Sequence, residues 1–286
     1  MEAAIQKASG AAGKVKHLDH FAIPAMDLER AEKFYTEVLG ARLIVKGEPA
    51  VPGGMFLKLG RRHHLGLFAP INTKATLPKR DSVDSYPRVA FLLSAEEFDR
   101  ASAAVKRTCS VVEDIEEEGV SGKRTKERGI GFIDSEGNIL EIFRGEEDNP
   151  IAVDHLHFDS LSVDDGVRFY TDVLNLEPVK READKATLAI PSGQAIILHQ
   201  VKELCEVTRT YYDERHFAFS VSDDDFHAIV DKLHRRGIRE ADELGGGVHR
   251  RPGDLGTYFK DPTNGIYLQL LNRDSTIFAR KHGFPV

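Results

Sequence analysis

The amino-acid sequence predicts an α+β protein in which four βαβββ modules pair into two similar domains, each a concave mixed sheet with helices outside. One repeat aligns LDHFAIPAMDLERAEKFYTEVLGA, from Leu18, without a gap with VDHLHFDSLSVDDGVRFYTDVLNL, from Val153. A second repeat aligns YPRVAFLLSAEEFDRA, from Tyr86, without a gap with ERHFAFSVSDDDFHAI, from Glu214. Self-similarity at a fixed spacing indicates a repeated structural unit, so each of the four copies begins one module.

Each copy begins with an alternating strand and continues into an amphipathic helix. In the first module Asp27 is the expected N-cap, apolar residues recur at helical spacing after it, and Gly40 is the expected stop. In the second module Ser94 is followed three residues later by Glu97, the pattern of a capping box. Shorter apolar runs then follow each helix, separated by Gly, Pro, Asn and Asp, as expected for three strands with turns.

The ends of these modules give the expected domain bounds. They are an N-terminal extension (1–16), an N-terminal domain (17–148, with modules 17–70 and 86–145), a C-terminal domain (149–273, with modules 153–200 and 214–272) and a tail (274–286). The stretch GEEDNPIA at 145–152 is the expected linker.

The composition favours a globular protein that binds small molecules. The chain has 286 residues, 41% of them hydrophobic, and a formal net charge of -7 with dispersed basic residues, which disfavours a nucleic-acid partner. No stretch approaches the roughly 18 consecutive apolar residues of a membrane span, and residues 1–16 contain no signal-like apolar segment. The two cysteines fit neither a metal-ligand spacing nor a disulfide framework. A cytoplasmic protein without membrane contact is therefore expected. A homo-oligomer is expected as well.

Histidines open several of the predicted strands. Residues two apart in a strand share a face, so His216 lies opposite the side that carries Phe217 and Phe219. The apolar side must pack under the helix, which leaves His216 on the concave side. The same count places His20 and His155 on the corresponding side of their strands. A single such histidine is more often a wall residue than a ligand, but its recurrence favours a ligand.

The motifs together resemble a known superfamily. Paired βαβββ modules with DH opening a strand, FYTEVLG in the helix and DSEGNILEI in the last strand resemble the vicinal oxygen chelate superfamily, which includes glyoxalase I, extradiol ring-cleaving dioxygenases, epimerases and antibiotic-binding proteins. Four modules in one chain resemble the two-domain extradiol dioxygenases in particular. This resemblance implies Fe(II), or Mn(II) or another divalent metal, held by His155, His216 and Gln269.

Gln269 is a departure, because the resemblance implies a glutamate at that position. The second module has Glu141 there, and one extra residue in the turn at 263–265 places Gln269 opposite Glu141. The alternative register places Leu268 there, but strand alternation favours Gln269 on the concave side. A glutamine carbonyl is a neutral metal ligand; the alternatives are two histidines with water, or no metal.

The resemblance also implies catalytic residues. His249 and Tyr258 match the histidine and tyrosine that hydrogen-bond substrate and oxygen in that family, whereas the N-terminal counterparts are Gly122 and Gly131. His199 is the candidate acid or base. His249 as a solvated loop residue and Tyr258 as a core residue remain alternatives. The site is therefore expected in the C-terminal half.

A second constellation is His20, His64 and Glu141, which could converge in the N-terminal domain as two histidines and a carboxylate. Arg88 occupies the remaining first-strand position, where a guanidinium repels a divalent cation. An ion pair between Arg88 and Glu141 is the simpler interpretation.

Three functions follow from the resemblance. The first is ring cleavage of a catechol-like aromatic substrate with O2, for which one ion holds both reactants. The second is a glyoxalase-like metal-dependent lyase or isomerase. The third is a metal-free protein that binds a small molecule.

Overall fold

The computed structural model describes residues 13–47, 51–60, 63–70, 80–117, 127–145, 151–205, 215–241, 249–251 and 254–272. The first half of the chain contains β1 (His17–Pro24), α1 (Leu28–Leu39), β2 (Arg42–Gly47), β3 (Val51–Leu59), β4 (His63–Phe68), β5 (Arg88–Leu93), α2 (Ala95–Thr108), β6 (Val112–Glu117), β7 (Glu127–Ile133) and β8 (Ile139–Arg144). The second half contains β9 (Ala152–Ser160), α3 (Val163–Leu174), β10 (Glu177–Arg181), β11 (Lys185–Ala189), β12 (Ala195–Gln200), β13 (His216–Ser220), α4 (Asp223–Arg235), β14 (His249–Arg251), β15 (Asp254–Lys260) and β16 (Tyr267–Leu271).

These elements form four βαβββ modules, which confirms the predicted α+β fold with its duplicated organisation. Residues 1–12 of the extension, 146–150 of the linker, the last residue of the C-terminal domain at 273 and the whole tail (274–286) lie outside the described residues. The bounds predicted there remain predictions. None of the helices within the described ranges has the length and apolar character needed to span a membrane.

The helix ends follow the local sequence signals. The Asp27 side chain accepts hydrogen bonds from the backbone N–H groups of Glu29 and Arg30, and Gly40 ends α1 in the left-handed conformation, at φ 66°. Such a φ suits glycine because it has no Cβ to clash. In α2, Ser94 and Glu97 make the reciprocal bonds of a capping box. The predicted caps of α1 and α2 are confirmed.

The pairing of the modules differs from the prediction that neighbouring modules share a sheet. One eight-stranded sheet, sheet A, has the order β14-β15-β16-β13-β1-β4-β3-β2 and joins the first module to the fourth. The other, sheet B, has the order β10-β11-β12-β9-β5-β8-β7-β6 and joins the second module to the third. Each half of the chain, 17–148 or 149–273, thus contributes one module to each sheet. The sequence could not distinguish the two pairings, because the first strands pair through backbone groups that every module offers.

The apolar faces of both sheets and the four helices share one buried core. The Phe21 and Phe91 rings lie 5.9 Å apart and the Phe158 and Phe217 rings 4.8 Å apart, so the contacts run from sheet A to sheet B. Burying each such side chain contributes about 1.5–3 kcal/mol. Because these rings occupy one face of each first strand, alternation directs the histidines of the same strands to the opposite face.

A buried tyrosine–aspartate pair connects the two modules of each half. Tyr35 on α1 donates a hydrogen bond to Asp134 at 2.6 Å, and Tyr170 on α3 donates one to Asp261 at 2.7 Å. Burial, together with the neighbouring carboxylate, raises the pKa of both tyrosines well above 10, so both remain donors at neutral pH. These pairs thus connect the two modules within each half, and the shared sheets connect the two halves to each other.

Candidate metal sites

Two clusters of polar side chains lie on the faces of the sheets opposite the shared core. Cluster A, on sheet A, comprises His20, His64, His216, Tyr258 and Gln269. Cluster B, on sheet B, comprises Arg88, Glu141, His155, His157 and His199. Each cluster draws residues from both halves of the chain, because each sheet does.

The strand register brings cluster A together. His20 on β1 lies opposite Ala218 on β13 and opposite His64 on β4. Ala218 in turn lies opposite Gln269 on β16, and Gln269 opposite Tyr258 on β15. Directly paired residues share one face of a sheet, so these side chains line the same surface.

The imidazoles of His20 and His216 meet at the centre of cluster A. Their Nε2 atoms are 3.2 Å apart. Two nitrogen ligands on one ion, each about 2.0–2.1 Å from it, are separated by about 3–3.4 Å. The His20 Nδ1 lies 2.7 Å from Asp19 Oδ1, so Nδ1–H donates to this buried carboxylate and leaves Nε2 with its lone pair. The spacing and the tautomer both suit a shared cation.

Gln269 supplies an oxygen beside these imidazoles. It pairs with Ala218 just as Glu141 pairs with Ala90, which confirms the register that equates Gln269 with Glu141. The residue is 5% exposed, and its Oε1 accepts no hydrogen bond from the described residues. A buried carbonyl oxygen without a donor is unfavourable, and a bound cation would satisfy it.

Cluster A is partly exposed to solvent at His20 and Tyr258, and apolar side chains lie beside its histidines. The His20 side chain is 13% exposed, and Tyr258 is half-buried with its ring 5.1 Å from the His216 ring. The half-buried Phe56 lies edge-on to His20, at 5.7 Å between ring centroids. Beside His216, the paired position on β1 is the small Ala22. A substrate with an apolar or aromatic body fits such walls.

Cluster B brings two imidazoles to one carboxylate. Glu141 Oε2 lies 3.7 Å from His155 Nε2 and 3.2 Å from His157 Nε2. These three atoms all lie within 4.8 Å of one another, as the ligands of one metal ion would. The side chains of Glu141, His155 and His157 are 1%, 2% and 0% exposed. The three donors of cluster B are therefore less exposed than His20 of cluster A, whose side chain is 13% exposed.

Each donor of cluster B is oriented by a further contact. His155 Nδ1 lies 2.8 Å from Asp154 Oδ2, and His157 Nδ1 lies 2.7 Å from His199 Nε2. Glu141 Oε1 lies 3.1 Å from Arg88 Nε, which confirms the predicted ion pair. Contacts of this kind fix the tautomers of metal-binding histidines and hold their carboxylates.

The electrostatics of cluster B settle which groups carry charge when no ion is bound. Burial raises the pKa of Glu141, but the histidines and Arg88 outweigh it and hold that pKa well below its usual value. Burial lowers the pKa of His155, but the hydrogen bond to Asp154 and the nearby Glu141 carboxylate raise it to about 9. Burial lowers the pKa of His157 well below 6.5, against the opposing effect of Glu141. Glu141 and His155 are thus charged at neutral pH, and His157 is neutral.

The structure separates the ligand set implied by the resemblance. His216 and Gln269 lie together in sheet A with Tyr258, but His155 lies in sheet B, so the three predicted ligands do not converge. His20 takes the place expected for His155, because the first module, and not the third, pairs with the fourth. The expectation that the site lies in the C-terminal half alone is corrected for the same reason.

The other predicted residues are also divided between the clusters. His199 lies in cluster B, where burial first and Arg88 second lower its pKa to about 3, so it stays neutral. His20 and His64 are neighbours, but Glu141 is on the other sheet, so that constellation does not form. His249 begins β14, and its side chain lies outside what the structure describes. His157, which strand alternation places on the same face as His155, lies 3.2 Å from Glu141 Oε2.

Comparisons with known proteins agree with this architecture. The Glyoxalase/Bleomycin resistance protein/Dioxygenase superfamily matches the chain over residues 17–142 and 153–270. A metallothiol transferase FosB from Lysinibacillus sphaericus is 27% identical over 131 residues, which cover 46% of this chain and 84% of the relative.

Two solved structures resemble nearly the whole chain. A candidate dioxygenase from Bacillus subtilis has a TM-score of 0.65 at 17% identity, covering 96% of this chain and 93% of that one. Glyoxalase I from Zea mays has a TM-score of 0.61 at 17% identity, covering 93% and 94%. At this identity the likeness establishes the fold.

Proposed function

Because the chain belongs to the glyoxalase, bleomycin resistance protein and dioxygenase superfamily, we propose that it is a divalent-metal-dependent enzyme whose catalytic site is cluster A. The observation that carries the proposal is the meeting of His20 Nε2 and His216 Nε2 at 3.2 Å beside the buried, unsatisfied Oε1 of Gln269. The greater exposure of cluster A supports its choice over cluster B, since a substrate must reach the ion.

The residues that would hold the ion are His20, His216 and Gln269, with His64 on the adjacent strand as a fourth. A bound divalent ion would supply a Lewis acid that polarises two adjacent oxygens of a substrate. All four protein donors are neutral, so they leave the positive charge of the ion uncompensated. This favours a substrate that is anionic or becomes anionic during the reaction.

The remaining residues orient and enclose the substrate. Asp19 holds His20 in the tautomer that presents Nε2 to the site. Tyr258 packs against His216 at the edge of the cluster and offers a hydroxyl to hydrogen-bond a substrate oxygen. Phe56 and Phe68, whose rings lie 5.6 Å apart, form an apolar wall that excludes water from one side.

Four donor positions on one face favour a glyoxalase-like lyase or isomerase reaction over ring cleavage. Four protein ligands would leave an octahedral ion two positions, enough for two vicinal oxygens of the substrate. Ring cleavage needs a further position for O2, and its predicted acid or base, His199, lies on the other sheet.

Extradiol ring cleavage of a catechol-like substrate, with Fe(II), is the second candidate. Tyr258 beside His216 favours it, because the resemblance implies such a tyrosine near the substrate. It requires that His64 stay unligated and leave room for O2.

The test uses full-length protein freed of metal and reloaded anaerobically with Fe(II), Mn2+, Ni2+ or Zn2+. Isomerisation of α-oxoaldehyde–thiol adducts is followed for the first candidate, and oxygen consumption with substituted catechols for the second. We expect metal-dependent turnover that His216→Ala abolishes and Arg88→His does not, since these are the equivalent positions of the two sheets. Protein that binds no divalent metal at cluster A, or turnover unaffected by His216→Ala, would reject the proposal.

A further inference from the structure

We propose that cluster B is a second metal site, which binds one first-row divalent transition-metal ion through Glu141, His155 and His157 and does not catalyse. This inference goes beyond the proposed function, because it concerns the other sheet and a ligand set of different composition. Two imidazoles with one carboxylate suit ions such as Fe(II), Co2+, Ni2+ and Zn2+.

The donor atoms of cluster B point towards one another. Glu141 Oε2 and His155 Nε2 are both buried, and neither makes a hydrogen bond with any described residue. Both point to the place where His157 Nε2 also arrives, 3.2 Å from Glu141 Oε2. A buried carboxylate oxygen left without hydrogen bonds is costly, and an ion between the three atoms would satisfy it.

The donors of cluster B are held in place by residues outside the triad. Asp154 holds His155, His199 holds His157, and Arg88 holds the oxygen of Glu141 that faces away from the triad. Arg88 therefore does not compete for the coordinating oxygen, because it contacts Oε1 while the histidines face Oε2. The charge of Arg88 is offset by the carboxylate of Glu141, whose Oε1 lies 3.1 Å from Arg88 Nε.

The position in sheet A that is equivalent to His157 carries an alanine. His157 lies opposite Arg88 as Ala22 lies opposite His216, so the third ligand of cluster B is an addition that cluster A lacks. Nothing in the strand geometry demands a histidine here, since alanine occupies the same place in the other sheet.

The burial of cluster B argues for a structural rather than a catalytic ion. The three donors are at most 2% exposed, and Arg88, at the position equivalent to His216, is paired with the same carboxylate. A substrate with two adjacent oxygens would have to displace Arg88 from Glu141.

The test is a titration of metal-free, full-length protein with Co2+, followed by visible absorption and by counting the ions bound per chain. The variants are His157→Ala, which copies the residue at the equivalent position of sheet A, and Glu141→Gln. Each should weaken binding at one site by about a hundredfold while leaving the His216-dependent site unchanged. His216→Ala should have the complementary effect, and anomalous scattering from Co2+-soaked wild-type crystals should place an ion among Glu141, His155 and His157.

The outcomes separate this inference from the proposed function. Co2+ binding that is lost in His157→Ala but retained in His216→Ala supports cluster B and counts against cluster A. Binding unchanged in both His157→Ala and Glu141→Gln overturns the inference, as does wild-type protein without an anomalous peak in cluster B. The crystal measurement needs no substitution, so it decides the matter even if a variant fails to fold.

Discussion

Clusters A and B occupy equivalent places in two sheets of the same topology, yet they differ in whether their side chains carry charge. The equivalent residues, by strand register, are His20 and His155, His216 and Arg88, and Gln269 and Glu141. Cluster A is built from neutral donors, whereas cluster B balances a carboxylate against a guanidinium. Where cluster A has the neutral side chains of His216 and Gln269, cluster B has Arg88 and Glu141, which form an ion pair.

The two clusters also distribute their histidines differently. His64 lies opposite His20, where sheet B has Ala195 opposite His155. Conversely, His157 in sheet B stands where sheet A has Ala22. The donors of cluster A therefore lie on four strands, with the small Ala22 between them. The two histidine donors of cluster B lie on one strand. Donors that lie on several strands, as in cluster A, leave an ion more accessible to a substrate than the close group of donors in cluster B.

The largest expected effect lies in cluster B. Arg88→Met removes the guanidinium that pairs with Glu141 and leaves a buried carboxylate with less compensation, so metal-free protein should lose about 3–5 kcal/mol in its free energy of unfolding. Urea denaturation in the presence of a chelator measures this change. The double variant Arg88→Met/Glu141→Gln should recover most of the loss, and a single variant within about 1 kcal/mol of wild type would show that the pair is dispensable.

The next effect concerns activity and cluster A. His216→Ala should lower kcat/KM by about a hundredfold or more, because it removes a donor that the proposed ion requires. His155→Ala, which removes a histidine from cluster B, should leave kcat/KM within about twofold once folding is verified by circular dichroism. The opposite pattern would assign catalysis to sheet B.

The smallest effect tests the neutral oxygen of cluster A. Gln269→Glu should keep the geometry and tighten divalent-metal binding by about tenfold, since it adds a negative charge at the position that Glu141 holds in sheet B. Gln269→Leu should lose the metal. Isothermal titration with Mn2+ gives both affinities, and a glutamate variant that unfolds more readily without binding metal better would contradict ligation by Gln269.

Much of the fold could be predicted because its signals are local. The caps at Asp27 and Ser94, the stop at Gly40 and the register of Gln269 depend on near neighbours and strand alternation. The Arg88–Glu141 pair followed from opposite charges on adjacent strands of one module. These interactions require no knowledge of how the modules assemble.

The composition of each cluster could not be predicted because it depends on assembly. His20 and His155 have the same neighbours in sequence, DH before an apolar strand, so either could pair with His216. Backbone hydrogen bonds carry no preference between them. The ligand set implied by the resemblance therefore joined His155 to His216, whereas the structure places His20 beside His216 and His155 in the other sheet.

The crossed pairing of the modules makes the chain a covalently linked dimer of its own halves. A half alone would carry two unpaired first-strand edges and only part of each cluster, and would need a second copy to cover those edges. Joining the halves replaces that encounter by an intramolecular one, at an effective concentration on the order of millimolar for a short connection. Because the linked halves need not have identical sequences, the cluster on one sheet can stay accessible while the cluster on the other is more buried.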